Sequence, residues 1–307
     1  MVENSLTKAR SSLFIATLAV SGASIFIRFC DSSALTIAFW RIFLVVFLLT
    51  PLLIFPDVRK QFRNALSMNQ IKFFILAGFF LSLHFFTWIQ SLQYTTVAAS
   101  VIVVNSSPLW VTFLSFVFFR ETINRFQVIG LILSFIGVIL IALLNTSLEL
   151  FSAFQEGVIL AFFGGIAVAF YFIIGKRMRS SFNVSNIPFT YFVNSFCAIF
   201  LFIYSIIFSE NVFVFPENDL YWFFALAIGP SLLGHALYTY AMKKLSSQTV
   251  SLTVLGEAIG ASILSFIFLS EVLTFSTIIG GIFIGVGILM AVLSENNSTS
   301  EKLFISV

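Results

Sequence analysis

Apolar runs of about 20 residues recur along this chain from one end to the other, separated only by short polar links. That pattern leaves few folding options. In lipid every backbone N–H and C=O must find a partner inside the protein, so runs of this length are read as helices crossing a bilayer. Ten can be drawn, over residues 12–29, 34–55, 71–93, 96–119 and 126–144, then 157–175, 187–208, 220–242, 247–269 and 275–293. Only 9% of the 307 residues are charged, against about 25% in a soluble domain, and the mean hydropathy is +1.06. The first run follows Lys8 and Arg10 as a signal peptide would, but no small-x-small cleavage site precedes a soluble body, so it is read as a retained helix.

The charged residues orient the runs. If the N-terminus is cytoplasmic, the inner links hold Lys8 and Arg10, then Arg59, Lys60, Arg63 and Lys72, then Arg120 and Arg125. They go on to hold Lys176, Arg177 and Arg179, then Lys243 and Lys244, and finally Lys302, together 14 of the 16 basic residues. The outer links are acidic, with Asp31, Glu149, Glu156, Glu210, Glu217, Asp219 and Glu271, and carry only Arg28, while Arg41 falls inside the second run. This positive-inside bias places both termini in the cytoplasm. A missed or extra helix would scramble the alternation.

A repeat runs through the chain. Residues 108–143 align without gaps on 258–293, sharing Leu114/Leu264, Ser115/Ser265, Phe116/Phe266, Phe118/Phe268, Glu121/Glu271, Gly130/Gly280 and Gly137/Gly287. The glutamate and the two glycines weigh more than the shared apolar residues, which any two membrane helices match by chance. The chain thus divides into residues 1–145 and 146–307. Each half holds five helices, an odd number, so the second enters the membrane upside down, as in alternating-access transporters.

These motifs resemble a known family. "LTIAFWR" (35–41), "SLQYTTVAAS" (91–100) and "NSSPLWVTFLSFVFFRE" (105–121) in the first half, with "GHALYTYAMKKLSSQTVSLTVLGEAIGASILSFIFLSE" (234–271) and the Gly-rich last run in the second, are similar to EamA-type permeases of the drug/metabolite transporter superfamily. The resemblance implies an all-α integral membrane protein of ten helices. It implies two inverted five-helix repeats around a central cavity, and transport of a small metabolite or drug. One departure is Ala258, where that family often has proline.

Several residues invite a functional reading, each beside a plainer one. Glu257 lies inside the ninth run, where a charge exposed to lipid is costly. It either faces a cavity, as a proton carrier or a counter-ion for an amine, or is a neutral group bonded to a neighbouring helix. Ser107 is its equivalent at the 150-residue offset, in the stretch Asn105, Ser106, Ser107, Pro108. Pro108 removes a backbone donor, and Gly256 and Gly260 flank Glu257, so both halves are expected to carry a weakened helix there. Paired interruptions point to a transporter's binding site. Arg41 either holds a substrate carboxylate as a fork, snorkels outward, or pairs with Asp31. His84 and His235 occupy nearly equivalent places and either relay protons or donate to backbone carbonyls. Trp110 is the aromatic candidate for a cavity wall, and Tyr238 needs a partner for its hydroxyl at depth.

The leading function is a secondary transporter with a small-molecule substrate in a lipid membrane, proton coupling being one option. The setting expected is a bacterial inner membrane. An intramembrane enzyme would need a converging nucleophile and base. The runs hold no aspartate, and neither histidine has an evident nucleophile beside it. A channel-like or structural membrane protein stays open. Neither metal nor cofactor is expected: Cys30 and Cys197 do not make a metal site, two histidines without clustered acids do not either, and there is no nucleotide-binding motif. No basic cluster large enough for nucleic acid occurs. Oligomeric state is left open.

Overall fold

The computed structural model describes residues 2–66, 68–119, 124–143, 151–234, 237 and 247–305. All regular structure among them is helical. Helices α1 (Val2–Ser21) and α2 (Ala23–Arg28) make the first run, and α3 (Ala34–Leu49) with a 3-10 turn (Thr50–Ile54) makes the second. A short polar helix, α4 (Pro56–Ala65), leads into α5 (Met68–Tyr94). The fourth run is two helices, α6 (Val97–Val104) and α7 (Ser107–Phe119), and α8 (Arg125–Leu143) is the fifth. The second half holds α9 (Phe151–Ser181), α10 (Asn186–Ile207), α11 (Asp219–Leu226) continuing as a π-helix (Ala227–Gly234), α12 (Ser247–Leu269) and α13 (Phe275–Ile305).

Among the described residues, five helical stretches are long and apolar enough to cross a membrane: Ala34–Ile54, Gln70–Tyr94, Val97–Phe118, Ala153–Gly175 and Asn186–Ile207. Phe14–Arg28, Arg125–Ile141, Asp219–Gly234, Gly256–Leu269 and Phe275–Met290 are apolar over 10–17 residues each. Helix α4 differs from all of these. Pro56 and Asp57 start it, Phe62 and Ala65 are buried, and Arg59, Lys60 and Arg63 face outward, the pattern of a helix lying along the membrane surface.

The helix ends have local causes. Ser33 caps α3, its hydroxyl accepting from the Thr36 N–H, and Thr96 caps α6 by accepting from the Ala99 N–H. Ser209 and Ser270 take left-handed φ of 54° and 55° just past α10 and α12. There the Glu210 and Glu271 N–H groups turn back onto the Ser205 and Ser265 carbonyls, at 2.8 and 3.3 Å, closing α10 in a Schellman turn and α12 in a turn one residue wider. A serine–glutamate pair therefore ends each of these two helices.

One buried cluster joins α2, α3, α5, α6, α9, α10, α11 and α12, with Ile37, Phe74, Ile89, Leu201 and Phe223 among its side chains. A second, around Leu109, Ile141, Val158 and Ile284, joins α6 to α9 and α13. Phe116, Phe118, Ile132, Ile206, Phe266 and Phe268 point outward, as expected where lipid rather than water surrounds the bundle.

Helix limits recur between the halves: α6 begins at residue 97 and α12 at 247, α7 ends at 119 and α12 at 269, α8 begins at 125 and α13 at 275. Helices α8 and α13 also pack reciprocally. A Cβ on Gly137 would lie 2.6 Å from the Gly280 carbonyl oxygen, and one on Gly280 would lie 2.6 Å from that of Gly137. A Cβ on Gly287 would lie 2.5 Å from the Gly130 oxygen. Residues early in one helix thus meet residues late in the other, so the two run antiparallel.

The expected pair of weakened helices is realised in only one half. The fourth run breaks at Asn105 and Ser106, ahead of Pro108, whereas α12 is continuous through Gly256 and Gly260. Pro108 lacks the N–H that an α-helix would direct at the Val104 carbonyl. Without a proline, α12 keeps every donor. Its glycines instead admit neighbours: a Cβ on Gly256 would press on Thr17 at 3.3 Å, and one on Gly260 on the Ser21 hydroxyl.

Candidate functional site

Arg41 sits two turns into α3 and is only 3% exposed. Its Nε donates to the Ser231 hydroxyl at 2.9 Å. The guanidinium carbon lies 4.5 Å from the centre of the Phe85 ring and 5.8 Å from that of Trp88, both within range of a cation–π attraction. Nη1 is buried with no hydrogen-bond partner. The alternative pairing with Asp31 does not occur. Asp31 is exposed, and its backbone N–H donates to Asp219 at 3.1 Å.

Ser231 was not among the expected residues. It is positioned by Pro230, whose missing N–H leaves the Leu226 carbonyl, one turn earlier, without its α-helical donor. The Ser231 hydroxyl donates to that carbonyl at 2.9 Å across the π-helix, so its lone pairs are left to accept from Arg41. The Gly229–Pro230 pair inside an apolar run was the signal available in the sequence.

Glu257, half-buried on α12, reaches the same region from the other half of the chain. Its carboxyl shares a hydrogen bond with the Asn105 side chain and lies within electrostatic range of Arg41. Its backbone carbonyl accepts from the Ser21 hydroxyl at 3.3 Å. Asn105 is the residue at which the fourth run breaks, so the interruption turns a polar side chain toward the acid. Ser107, the offset equivalent of Glu257, is buried at the first residue of α7.

The other candidates divide around this cluster. His84 pairs through Nδ1 with the Gly164 carbonyl at 2.9 Å and stacks on Trp88 with 5.8 Å between ring centres and 10° between planes. It therefore borders the Arg41 site through an aromatic neighbour, with Nδ1 as the donor. Trp110 lines a different space, a cavity of about 10 Å³ shared with Ser106, Leu109 and Phe162. Trp110 Nε1 and Ser106 Oγ are both buried without partners, and the space is about one water molecule in size. His235 and Tyr238 lie outside the described residues, as does Glu121. Among the described residues no group of three or more His, Cys, Asp or Glu could hold a metal ion, and both cysteines are free.

The model of the EamA-like transporter family matches residues 8–143 and again residues 155–293. The chain belongs to the EamA-like transporter family. Similar proteins include an uncharacterized transporter of Archaeoglobus fulgidus, 23% identical over 281 residues, covering 92% of this chain and 95% of that one. The uncharacterized transporter YyaM of Bacillus subtilis is 24% identical over 262 residues, 83% of each chain. A crystal structure of another protein, 18% identical, superposes with a TM-score of 0.60 over 95% of this chain and 98% of its own, a likeness of fold alone. As an EamA-like transporter, the protein is an integral membrane protein with a small molecule to move.

Proposed function

We propose that this EamA-like transporter carries a small organic metabolite or drug by alternating access, with Arg41 and Glu257 as the charged pair of its central site. The observation that carries the reading is the convergence of these two groups, one from each half of the chain, at the buried junction of α3, α6, α12 and the π-helix. Buried charge in a membrane protein is expensive, and Arg41 is held without a carboxylate in hydrogen-bonding contact. Its unpartnered Nη1 suits an anionic group on the substrate. Glu257 suits an amine on the substrate or a coupling proton.

Ten spans, in two five-helix halves of inverted orientation (residues 1–145 and 146–307), complete the proposal. The recurring helix limits support it, as does the antiparallel, reciprocal contact of α8 with α13. A pseudo-two-fold relation sends the Gly137–Gly280 contact onto Gly287–Gly130, and those are the contacts present. We place both termini in the cytoplasm of a bacterial inner membrane, following the basic residues.

The test is counterflow in proteoliposomes against a metabolite panel. A carrier shows saturable exchange with preloaded substrate, and a channel shows none. With the exchanged compound in hand, Glu257→Gln should abolish flux driven by a pH gradient while leaving counterflow measurable. Gradient-driven flux unchanged in Glu257→Gln sinks the proton-carrying role.

A further inference from the structure

One end of the protein is held by acids of the second half seated on helix starts of the first. Glu271, at the end of α12, accepts from the Val97 N–H at 2.8 Å and pairs with Arg28 at 2.9 Å. Arg28 also donates to the Thr95 carbonyl at 2.9 Å. Glu210, at the end of α10, accepts from the Ser33 and Thr36 hydroxyls at the start of α3. Asp219, at the start of α11, accepts from the backbone N–H groups of Asp31 and Ser32, at 3.1 and 2.8 Å, and from the Ser32 hydroxyl. Helix starts favour negative charge, so the three seats are chemically alike.

Their place in the chain is what matters. Glu210 seats on the start of α3, and Arg41 lies eight residues further along that helix, about 12 Å at 1.5 Å per residue. Val97 is the same distance ahead of Asn105. Glu271 follows the end of α12, fourteen residues beyond Glu257, about 21 Å away. Glu271 therefore ties the end of α12 to the start of α6, while Glu210 and Asp219 tie α10 and α11 to the start of α3. The bonds are all of a kind that water can replace: carboxylate to N–H, O–H or guanidinium, near an end of the bundle. The contact between α8 and α13, of glycine against backbone carbonyl, has no such substitute.

We propose that Glu210, Asp219 and Glu271 form a releasable clamp that closes this acidic face over the Arg41–Glu257 site, and that substrate passes this face only when the clamp lets go. The proposal rests on the alternating-access reading. Its test requires no transported compound, so the two can fail separately. In a Cys30→Ser, Cys197→Ser background, spin labels at Gln93→Cys in the first half and Tyr221→Cys in the second, both exposed, report the separation of the halves at this end by double electron–electron resonance. The unmodified clamp should give one dominant distance. Glu271→Gln, Arg28→Gln and Asp219→Asn should each add a longer population, raising its share at least about 2-fold, and the Glu271→Gln, Asp219→Asn double variant should raise it further. Unchanged distributions in the single and double variants overturn the clamp and leave the carrier reading standing. Loss of monodisperse protein in all three single variants makes the contacts permanent scaffold and overturns the clamp equally.

Discussion

Arg28 and Arg41 lie 13 residues apart in the first half, and the protein treats them differently. Arg28, at the end of α2, has a carboxylate at 2.9 Å and a backbone carbonyl at 2.9 Å. Arg41, deeper and only 3% exposed, has one neutral hydroxyl and two aromatic faces. Each keeps one buried nitrogen without a partner, but only Arg28 has its charge answered at contact distance. An answered arginine is a fastening. One surrounded by groups that tolerate a cation without neutralising it keeps a charge for the substrate anion proposed above.

Removing the guanidinium at the deeper position should break the contrast most sharply. Arg41→Ala should lower exchange of an anionic substrate by at least about 10-fold, the loss expected when a charged hydrogen-bond partner disappears, measured as counterflow with the protein still monodisperse. Equal loss across anionic and uncharged compounds would make Arg41 structural and erase the difference between the two arginines. Arg28→Gln should act on stability instead. A partly exposed ion pair contributes up to about 1 kcal/mol, so the melting temperature should fall by no more than about 2–4 °C, the shift that 1 kcal/mol gives a somewhat shorter chain, with substrate affinity little changed. A larger loss of affinity than of stability would place Arg28 in the binding machinery. The smallest effect is expected at the positioning hydroxyl. Ser231→Ala should raise KM roughly 2- to 10-fold without changing the choice among substrates, and a changed preference would mean that Ser231 touches the substrate itself.

Much of this fold is written in hydropathy and charge. The run drawn over 247–269 coincides with α12, and those drawn over 34–55 and 187–208 lie within one residue of their helices at each end, because lipid forces apolar length and helical hydrogen bonding to coincide. The site was less legible. The 150-residue offset pairs Glu257 with Ser107, yet Glu257 bonds to Asn105. Equivalence in a repeat is a relation of sequence, and the two-fold relation proposed above would bring together positions that are not equivalent. The glycines show the same rule, since Gly137 matches Gly287 but touches Gly280. Ser231 was hidden for another reason. Its role depends on the carbonyl whose α-helical donor Pro230 removes, and a serine in an apolar run carries no mark of which carbonyl it will find. The serine–glutamate turns after α10 and α12 were hidden too, because a left-handed residue at a helix end is commonly glycine and here it is serine.

The meeting of α8 with α13 also bears on how such a chain can change over generations. Gly137, Gly280 and Gly287 each rest on a main-chain oxygen of the opposite half, at separations of 2.5 to 2.6 Å to the position a side chain would take. No rotamer change can relieve a methyl group added at such a spot, because the obstacle is backbone. A substitution in one half can be absorbed only by a shift in the other. Wherever the two copies have diverged elsewhere, as at Ser107 and Glu257, they did so around a seam that ties the fate of each copy to its twin.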